Sequence, residues 1–220
     1  MKLNTDIKIC LITPPHIGTP DQFYPRVEEV LSHGIGFVQF RNKHLPKKES
    51  LQVAIRLRDL CKRYRSLFII NDEIDLALAT DSDGVHVGQE DYPLDLARNL
   101  MGPDKIIGVS THSLQQAIAA ELGGADYIGF GSIFPTRSKG TTQWVGLDDL
   151  KKISEAVSIP IFAIGGISPA NVSSVLRSGA SGIAVISSIW NERSIGNAVE
   201  KLNQEVQKAM CSRKSSSSNF

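Results

Sequence analysis

The chain has 220 residues, 41% of them hydrophobic, with 24 lysines and arginines against 23 aspartates and glutamates. A formal charge of +1 with both signs interspersed excludes a general attraction to nucleic acid or to an anionic membrane, and the apolar share can bury a full core in one domain. Cys10, Cys61 and Cys211 stand far apart, without CxxC or histidine partners at metal-ligand spacing, which points to free thiols in a reducing compartment rather than disulfides or zinc. No stretch reaches the length of a membrane span, and KICLIT near the N-terminus reads as a strand rather than an export signal, so the cytoplasm is the expected location.

In chain order, the short runs rich in Val, Ile and Phe are KICLIT (8–13), FVQF (37–40), LFIIN (67–71), GVHVG (84–88), IIGVS (106–110), DYIGF (126–130), PIFAI (160–164) and GIAVI (182–186). Segments of helical period lie between them. Leu114, Ala117, Ile118 and Leu122 share one helix face, and Val172, Val175 and Leu176 another that ends at Gly179. GIGFVQF, DSDGVHV, GGADYIGF and SGASGIAV form a faint repeat, roughly 45 to 55 residues apart, that puts small or acidic residues before each even-numbered strand. Continuous apolar strands alternating with amphipathic helices mean a parallel sheet buried on both faces, and eight such units in one α/β domain predict a (β/α)8 TIM barrel with a long loop after strand 6. An open doubly wound sheet is the structural alternative. Residues 1–211 are assigned to the barrel and 212–220 to a disordered serine-rich tail.

In such a barrel the loops after the strands build the active site. After strand 2, alternation turns Gln39 and Arg41 toward the axis, and Lys43 follows in the loop; the cations could grip a phosphate, with a solvated turn as the blander alternative. Asp72 ends strand 3 and Asp91 follows strand 4. Carboxylates on adjacent strand ends suit a hard cation such as Mg²⁺, although Asp72 alone could instead cap the next helix. Asp75 falls inside that helix and Asp81 and Asp83 precede strand 4, so all three are left out of the site. His112 is expected to make a structural hydrogen bond rather than to act as a base.

The loop after strand 6 carries Thr136, Arg137, Ser138 and Lys139 and reads as a lid, with Lys139 able to reach an anion. Gly165-Gly166 after strand 7 and Ile186-Ser187-Ser188 after strand 8 read as a phosphate cradle. One monophosphate cradle beside one diphosphate site implies transfer of a carbon group with loss of pyrophosphate.

The stretches VQFRNK, IINDEIDLALATDSDGVHVGQED, GVSTHS, ADYIGFGSIFPTRSK, IPIFAIGGI and GASGIAVISSI occur in the order and at about the spacing of the thiamine phosphate synthase family, which the chain resembles over nearly all of residues 8–190. The resemblance implies an enzyme that joins the diphosphate of hydroxymethylpyrimidine to hydroxyethylthiazole phosphate by a dissociative, Mg²⁺-assisted route. It implies that Gln39, Phe40, Arg41, Asn42, Lys43, Asn71, Ser110 and Lys139 bind the pyrimidine diphosphate. Asp72 and Asp91 would hold the metal, and Thr136, Arg137, Ser138, Gly166, Ile186 and Ser187 the thiazole phosphate. No side-chain nucleophile is implied. The partners expected are small-molecule substrates, with neither nucleic acid nor membrane; a homo-oligomer is compatible with this. Two alternatives stand beside the synthase. A thiazole tautomerase of the same fold lacks the Asn-Asp/Asp set and carries histidine where this chain has Ser132; a non-catalytic barrel would bind phosphate ligands without turnover.

Overall fold

A computed structural model describes residues 3, 6–14, 16–135 and 144–217, the last five without their side chains. All eight expected strands form: β1 (Ile9–Ile12), β2 (Phe37–Phe40), β3 (Leu67–Asn71), β4 (Gly84–Val87), β5 (Ile106–Thr111), β6 (Tyr127–Gly131), β7 (Ile161–Ile164) and β8 (Gly182–Val185). Every neighbouring pair is parallel, and β8 returns to β1 in the register Ile9↔Ile183, Cys10↔Ala184, Leu11↔Val185. That last pairing closes the barrel and excludes the open sheet. The helices are α1 (Pro20–Ser32), α2 (Lys47–Arg63), α3 (Ile74–Ala79), α4 (Leu94–Met101), α5 (Leu114–Leu122), α6 (Gly146–Ala156), α7 (Val172–Arg177), α8 (Ser187–Trp190) and α9 (Ile195–Ser217).

Alternation along each strand divides the core in two. Side chains such as Leu11, Val38, Phe40, Phe68, Ile70 and Val85 point outward and pack under the helices. Cys10, Ile12, Phe37, Ile69, Tyr127 and Phe162 point inward and fill the barrel. Phe37, Tyr127 and Phe162 meet edge to face, with centroids 5.5 to 5.6 Å apart, an arrangement aromatic quadrupoles favour.

The faint repeat has a physical purpose. Asp83, immediately before β4, donates its N–H to Phe68 O (2.9 Å) and accepts the Phe68 N–H on Oδ2 (2.8 Å). Asp126 treats Ile107 the same way before β6, at 2.8 Å for both bonds, and Ser181 treats Ile161 so before β8, at 2.9 and 3.1 Å. Each residue thus clamps both backbone groups at the start of the preceding strand, where the sheet ladder has not begun. At the equivalent place before β2 stands Gly36, which has no side chain to do this.

Helix α5 opens with Ser113 Oγ accepting from Gln116 N (3.3 Å), and α7 stops at Gly179, whose φ of +102° suits glycine. Backbone helix in α9 continues to Ser217, into the segment 212–220 assigned to a tail, and the Ser212 hydroxyl bonds back to Lys208 O (2.9 Å). Among the described residues no helix is long and apolar enough to cross a membrane.

Candidate active site

The strand C-termini end around a cavity whose walls include Gln39, Arg41, Asn71, Ser110, Ile164 and Ile186. Five of these six are candidates named from the sequence, and they meet because each lies at an inward position at or just beyond a strand end. Arg41 follows β2 without sheet partners of its own. Thr13, fully buried just past β1, supplies them: its Oγ1 accepts the Arg41 N–H (2.9 Å) and donates to Arg41 O (3.2 Å), while Thr13 N–H bonds Gln39 O (3.0 Å). Nothing in the sequence marks Thr13, since its role arises only from the pairing of β1 with β2.

Asp72 is not a helix cap. Glu73 takes the N-cap position of α3, and no side-chain cap bond forms there. Instead Asp72 adopts φ +65°, a conformation that Asp and Asn tolerate better than other non-glycine residues, and its N–H bonds His86 O (2.8 Å). Its carboxyl is pushed up to about 6, first by burial and then by Asp91, which hydrogen-bonds it and repels its charge, while Lys43 and Arg41 pull it down. These influences show that the four charged residues share one mouth. Asp91 is held from below by its own turn, Oδ2 accepting the Gly88 N–H (2.7 Å). Among the described residues no three His, Cys, Asp or Glu side chains form a cage, so the metal-type donors here are the carboxylate pair.

Two residues implied by the resemblance turn their side chains elsewhere. Phe40 packs outward under the helices. Asn42 spends its amide on its own loop and the first turn of α2: Oδ1 accepts from His44 N (3.0 Å) and Leu45 N (2.8 Å), and Nδ2 donates to Leu45 O (3.1 Å) and Ser50 Oγ (3.3 Å). Both can offer a ligand only backbone. Lys43 is exposed at the rim.

Across the mouth, Gly165 and Gly166 have φ of +102° and +64°. A Cβ at Gly166 would come within 2.8 Å of Phe134 Cβ and 2.9 Å of Pro135 O, so glycine also lets the β6–α6 loop approach. The base of that loop is tied by Val145 N–H to Ser132 O (2.8 Å). Thr136, Arg137, Ser138 and Lys139 lie outside the described residues. Ile186, Ser187 and Ser188 stand at the start of α8, and Ser188 Oγ is buried without a hydrogen-bond partner among the described residues.

The excluded acids are engaged elsewhere. Asp75 pairs with Lys47 (2.5 Å), Asp81 with Lys105 (2.6 Å) and Arg58 (3.3 Å), and Asp83 belongs to its strand clamp. His112 Nδ1 bonds Gly131 O (2.5 Å), a structural contact as expected.

The cavity wall also includes a pair that the sequence reading missed. His86, 5% exposed, places Nε2 2.8 Å from Ser110 Oγ and Nδ1 2.9 Å from the hydroxyl of Tyr127, itself 1% exposed. The available signal was period two: in GVHV, Gly84 and His86 share the inward face, as Tyr127 and Gly129 do in β6.

A family model described as thiamine monophosphate synthase matches residues 9–189. The thiamine-phosphate synthase of Clostridium acetobutylicum is 41% identical over 205 residues, covering 93% of this chain and 97% of that protein. That of Pyrococcus furiosus is 40% identical over 210 residues, covering 96% and 100%. The solved structure of the thiamine phosphate pyrophosphorylase from Pyrococcus furiosus superposes with a TM-score of 0.85 at 39% identity, covering 93% of this chain and 98% of that one.

Proposed function

The chain belongs to the thiamine monophosphate synthase family and is a transferase of thiamine biosynthesis that makes thiamine phosphate; from this premise we propose that it joins hydroxymethylpyrimidine diphosphate to hydroxyethylthiazole phosphate with release of pyrophosphate. The observation that carries the substrate reading is the meeting of Arg41, Lys43, Asp72 and Asp91 at one barrel mouth, above a cavity walled by Gln39, Asn71 and Ser110.

Arg41 and Lys43 bind the diphosphate, and Gln39, Asn71 and Ser110 orient the ring below it. On the other side Gly166, Ile186 and Ser187, with Thr136, Arg137 and Ser138, receive the thiazole phosphate, and the unpartnered Ser188 hydroxyl beside them fits an anion acceptor nearby. Lys139 completes the diphosphate site from the loop. Asp72 and Asp91 fit a divalent cation, because two carboxylates that repel each other are stabilised together by a hard ion, and Mg²⁺ takes one or two carboxylates and leaves its other positions to water and phosphate. When bound there, Mg²⁺ would neutralise charge on the diphosphate oxygens.

The bond between the pyrimidine methylene carbon and the diphosphate oxygen breaks with its electron pair leaving on pyrophosphate, and the aminopyrimidine ring delocalises the resulting cation. The thiazole nitrogen then donates its lone pair to that carbon. No proton need move, so the residues act by positioning and charge stabilisation, without a nucleophile or general base. We place the reaction in the cytoplasm, in keeping with cysteines that are all unbridged. The test is pyrophosphate release by the purified protein, expected only when both substrates and Mg²⁺ are present; no release under those conditions overturns the proposal.

A further inference from the structure

The turn α8 (Ser187–Trp190) is too short to be stable by itself, because helix nucleation is costly, so whatever holds it comes from outside. Its last residue supplies the anchor. Trp190, 6% exposed, donates its indole N–H to Ile12 O (2.8 Å), 178 positions away at the end of β1. Arg26 of α1 donates from Nη2 to Trp190 O (2.7 Å), as cations commonly do at the last carbonyls of a helix, and its guanidinium carbon stands 5.5 Å from the centre of the Trp190 ring. Phe23, one turn earlier on the same face of α1, stacks on that ring with centroids 5.9 Å apart.

The bond to Ile12 O falls where the sheet would otherwise have made one. Along the β1–β8 seam the ladder starts with Ile183 N–H to Lys8 O (2.8 Å) and repeats every two residues, so Ile12 O is the acceptor due to the N–H of Ser187. The register stops at Leu11↔Val185, one rung short. The indole of Trp190 takes that rung instead, and the Ser187 N–H has no acceptor among the described residues. Ile12 and Ile186 both wall the cavity, so the donors are exchanged at its edge, in the turn that also holds the buried Ser188 Oγ, which likewise lacks a partner among the described residues.

We propose that Trp190 and Arg26 are positioning residues for the thiazole phosphate: the indole releases the Ser187 N–H from the sheet, and the guanidinium holds the turn so that this N–H stays available to the anion. A backbone N–H can be set aside for a ligand at small cost only if the carbonyl it would have served finds another donor, since an unpaired buried acceptor is expensive. Trp190 is that donor. The inference rests on the assignment of the phosphate to Gly166, Ile186 and Ser187 made above, and adds two residues that act through Ser187.

Amide hydrogen exchange reads the release directly. In protein labelled with nitrogen-15 serine, the Ser187 amide, assigned by its loss in Ser187→Ala, is expected to exchange freely without ligand and to slow when thiazole phosphate is added. In Trp190→Phe, which keeps a packed ring and removes the indole N–H, it is expected to be slow before any ligand is added, because Ser187 then takes the Ile12 carbonyl. A slow amide in the ligand-free wild type, or one that stays fast in Trp190→Phe, overturns the proposal. Calorimetric affinities give the second measurement. Trp190→Phe is expected to bind thiazole phosphate about 10-fold or more weakly, the scale of one hydrogen bond to a charged group, with its affinity for pyrimidine diphosphate within about 2-fold of wild type. If Trp190→Phe does not fold, Arg26→Ala, at a part-exposed position, is expected to show the same selective loss, and Arg26→Lys to recover part of it by keeping a charged donor. Equal weakening of both substrates, as general loosening of the barrel would give, overturns the proposal. If the wild type binds no thiazole phosphate the substrate reading fails, while exchange in the ligand-free proteins still scores the release of Ser187, so the two failures are told apart.

Discussion

Thr13 holds Arg41 by both of its backbone groups, accepting its N–H at 2.9 Å and donating to its carbonyl at 3.2 Å. The guanidinium assigned to the diphosphate is therefore aimed by a residue on another strand. Thr13→Val keeps the shape and removes the hydroxyl, leaving a part-buried N–H unpaired at a cost of about 1–3 kcal/mol. The KM for pyrimidine diphosphate is expected to rise about 10-fold, with that for thiazole phosphate unchanged. Steady-state kinetics with each substrate varied in turn checks this, and equal changes in both would refute the positioning role.

Asp91 sits on an exposed turn and accepts one hydrogen bond from Gly88. Asp91→Ala is expected to lower turnover by about 10²–10³, the scale seen when charge stabilisation is removed from a transition state, and to raise the Mg²⁺ concentration needed for half activity. Melting temperature without substrate should shift by no more than roughly 2–4 °C. A much larger shift would make Asp91 a structural residue.

The raised acidity constant of Asp72 has a sign that calorimetry can read. Its carboxyl ionises near 6 when folded, against an ordinary value of 3.8, so the folded state binds a proton that the unfolded chain has already lost. The group costs nothing at low pH; its penalty grows as pH rises between those two values and is complete above the higher one. For a half-buried group partly screened by solvent the penalty is on the order of 1 kcal/mol. Metal-free Asp72→Asn, whose amide tolerates the same positive φ, should therefore melt above wild type at neutral pH, with the gap closing toward pH about 4. Saturating Mg²⁺ should stabilise wild type and leave the variant unmoved. A gap that widens with falling pH would contradict the assignment.

Asp126 clamps Ile107 and also accepts from Arg98 Nη2 (2.7 Å), both side chains being largely buried. Asp126→Ala strands the Ile107 N–H and leaves the Arg98 guanidinium without its counter-charge, held only by the Gly102, Lys105 and Gly124 carbonyls, on the rim opposite the active site. A loss of about 2–3 kcal/mol follows, or roughly 5–10 °C in melting temperature for a chain of this size. Both KM values should stay within about 2-fold of wild type, since no substrate group is near; a selective KM change would refute the far-rim placement.

The barrel was legible because strands buried on both faces leave continuous apolar runs, and eight regular units close. The carboxylate pair proposed to hold the metal could be singled out for a related reason: Asp72 and Asp91 follow strands, whereas Asp81 and Asp83 precede one, so strand direction alone separates the two rims. What stayed hidden depends on partners remote in sequence. The side chain of Asn42 is engaged by three bonds within the β2–α2 loop and one to Ser50 of α2, partners that its neighbours in sequence do not announce. His86 and Tyr127 look like ordinary core until the missing side chains of Gly108 and Gly129 show that space was reserved for their rings. Tail and helix are hard to separate near Ser212, where serine suits either.

The clamps before β4, β6 and β8 also order the assembly of the ring. They join residues only 15, 19 and 20 positions apart, so each closes a short loop at small entropic cost and can form before distant parts of the chain have met. β1 has no such clamp, and its pairing with β8 spans almost the whole chain. Three strand pairs can thus form locally, as can β1 with β2, and the seam between β1 and β8 is the one whose closure costs the most chain entropy. The contact between Thr13 and Arg41 lies instead on the β1–β2 seam, between residues near in sequence, so Arg41 can be aimed before the ring closes.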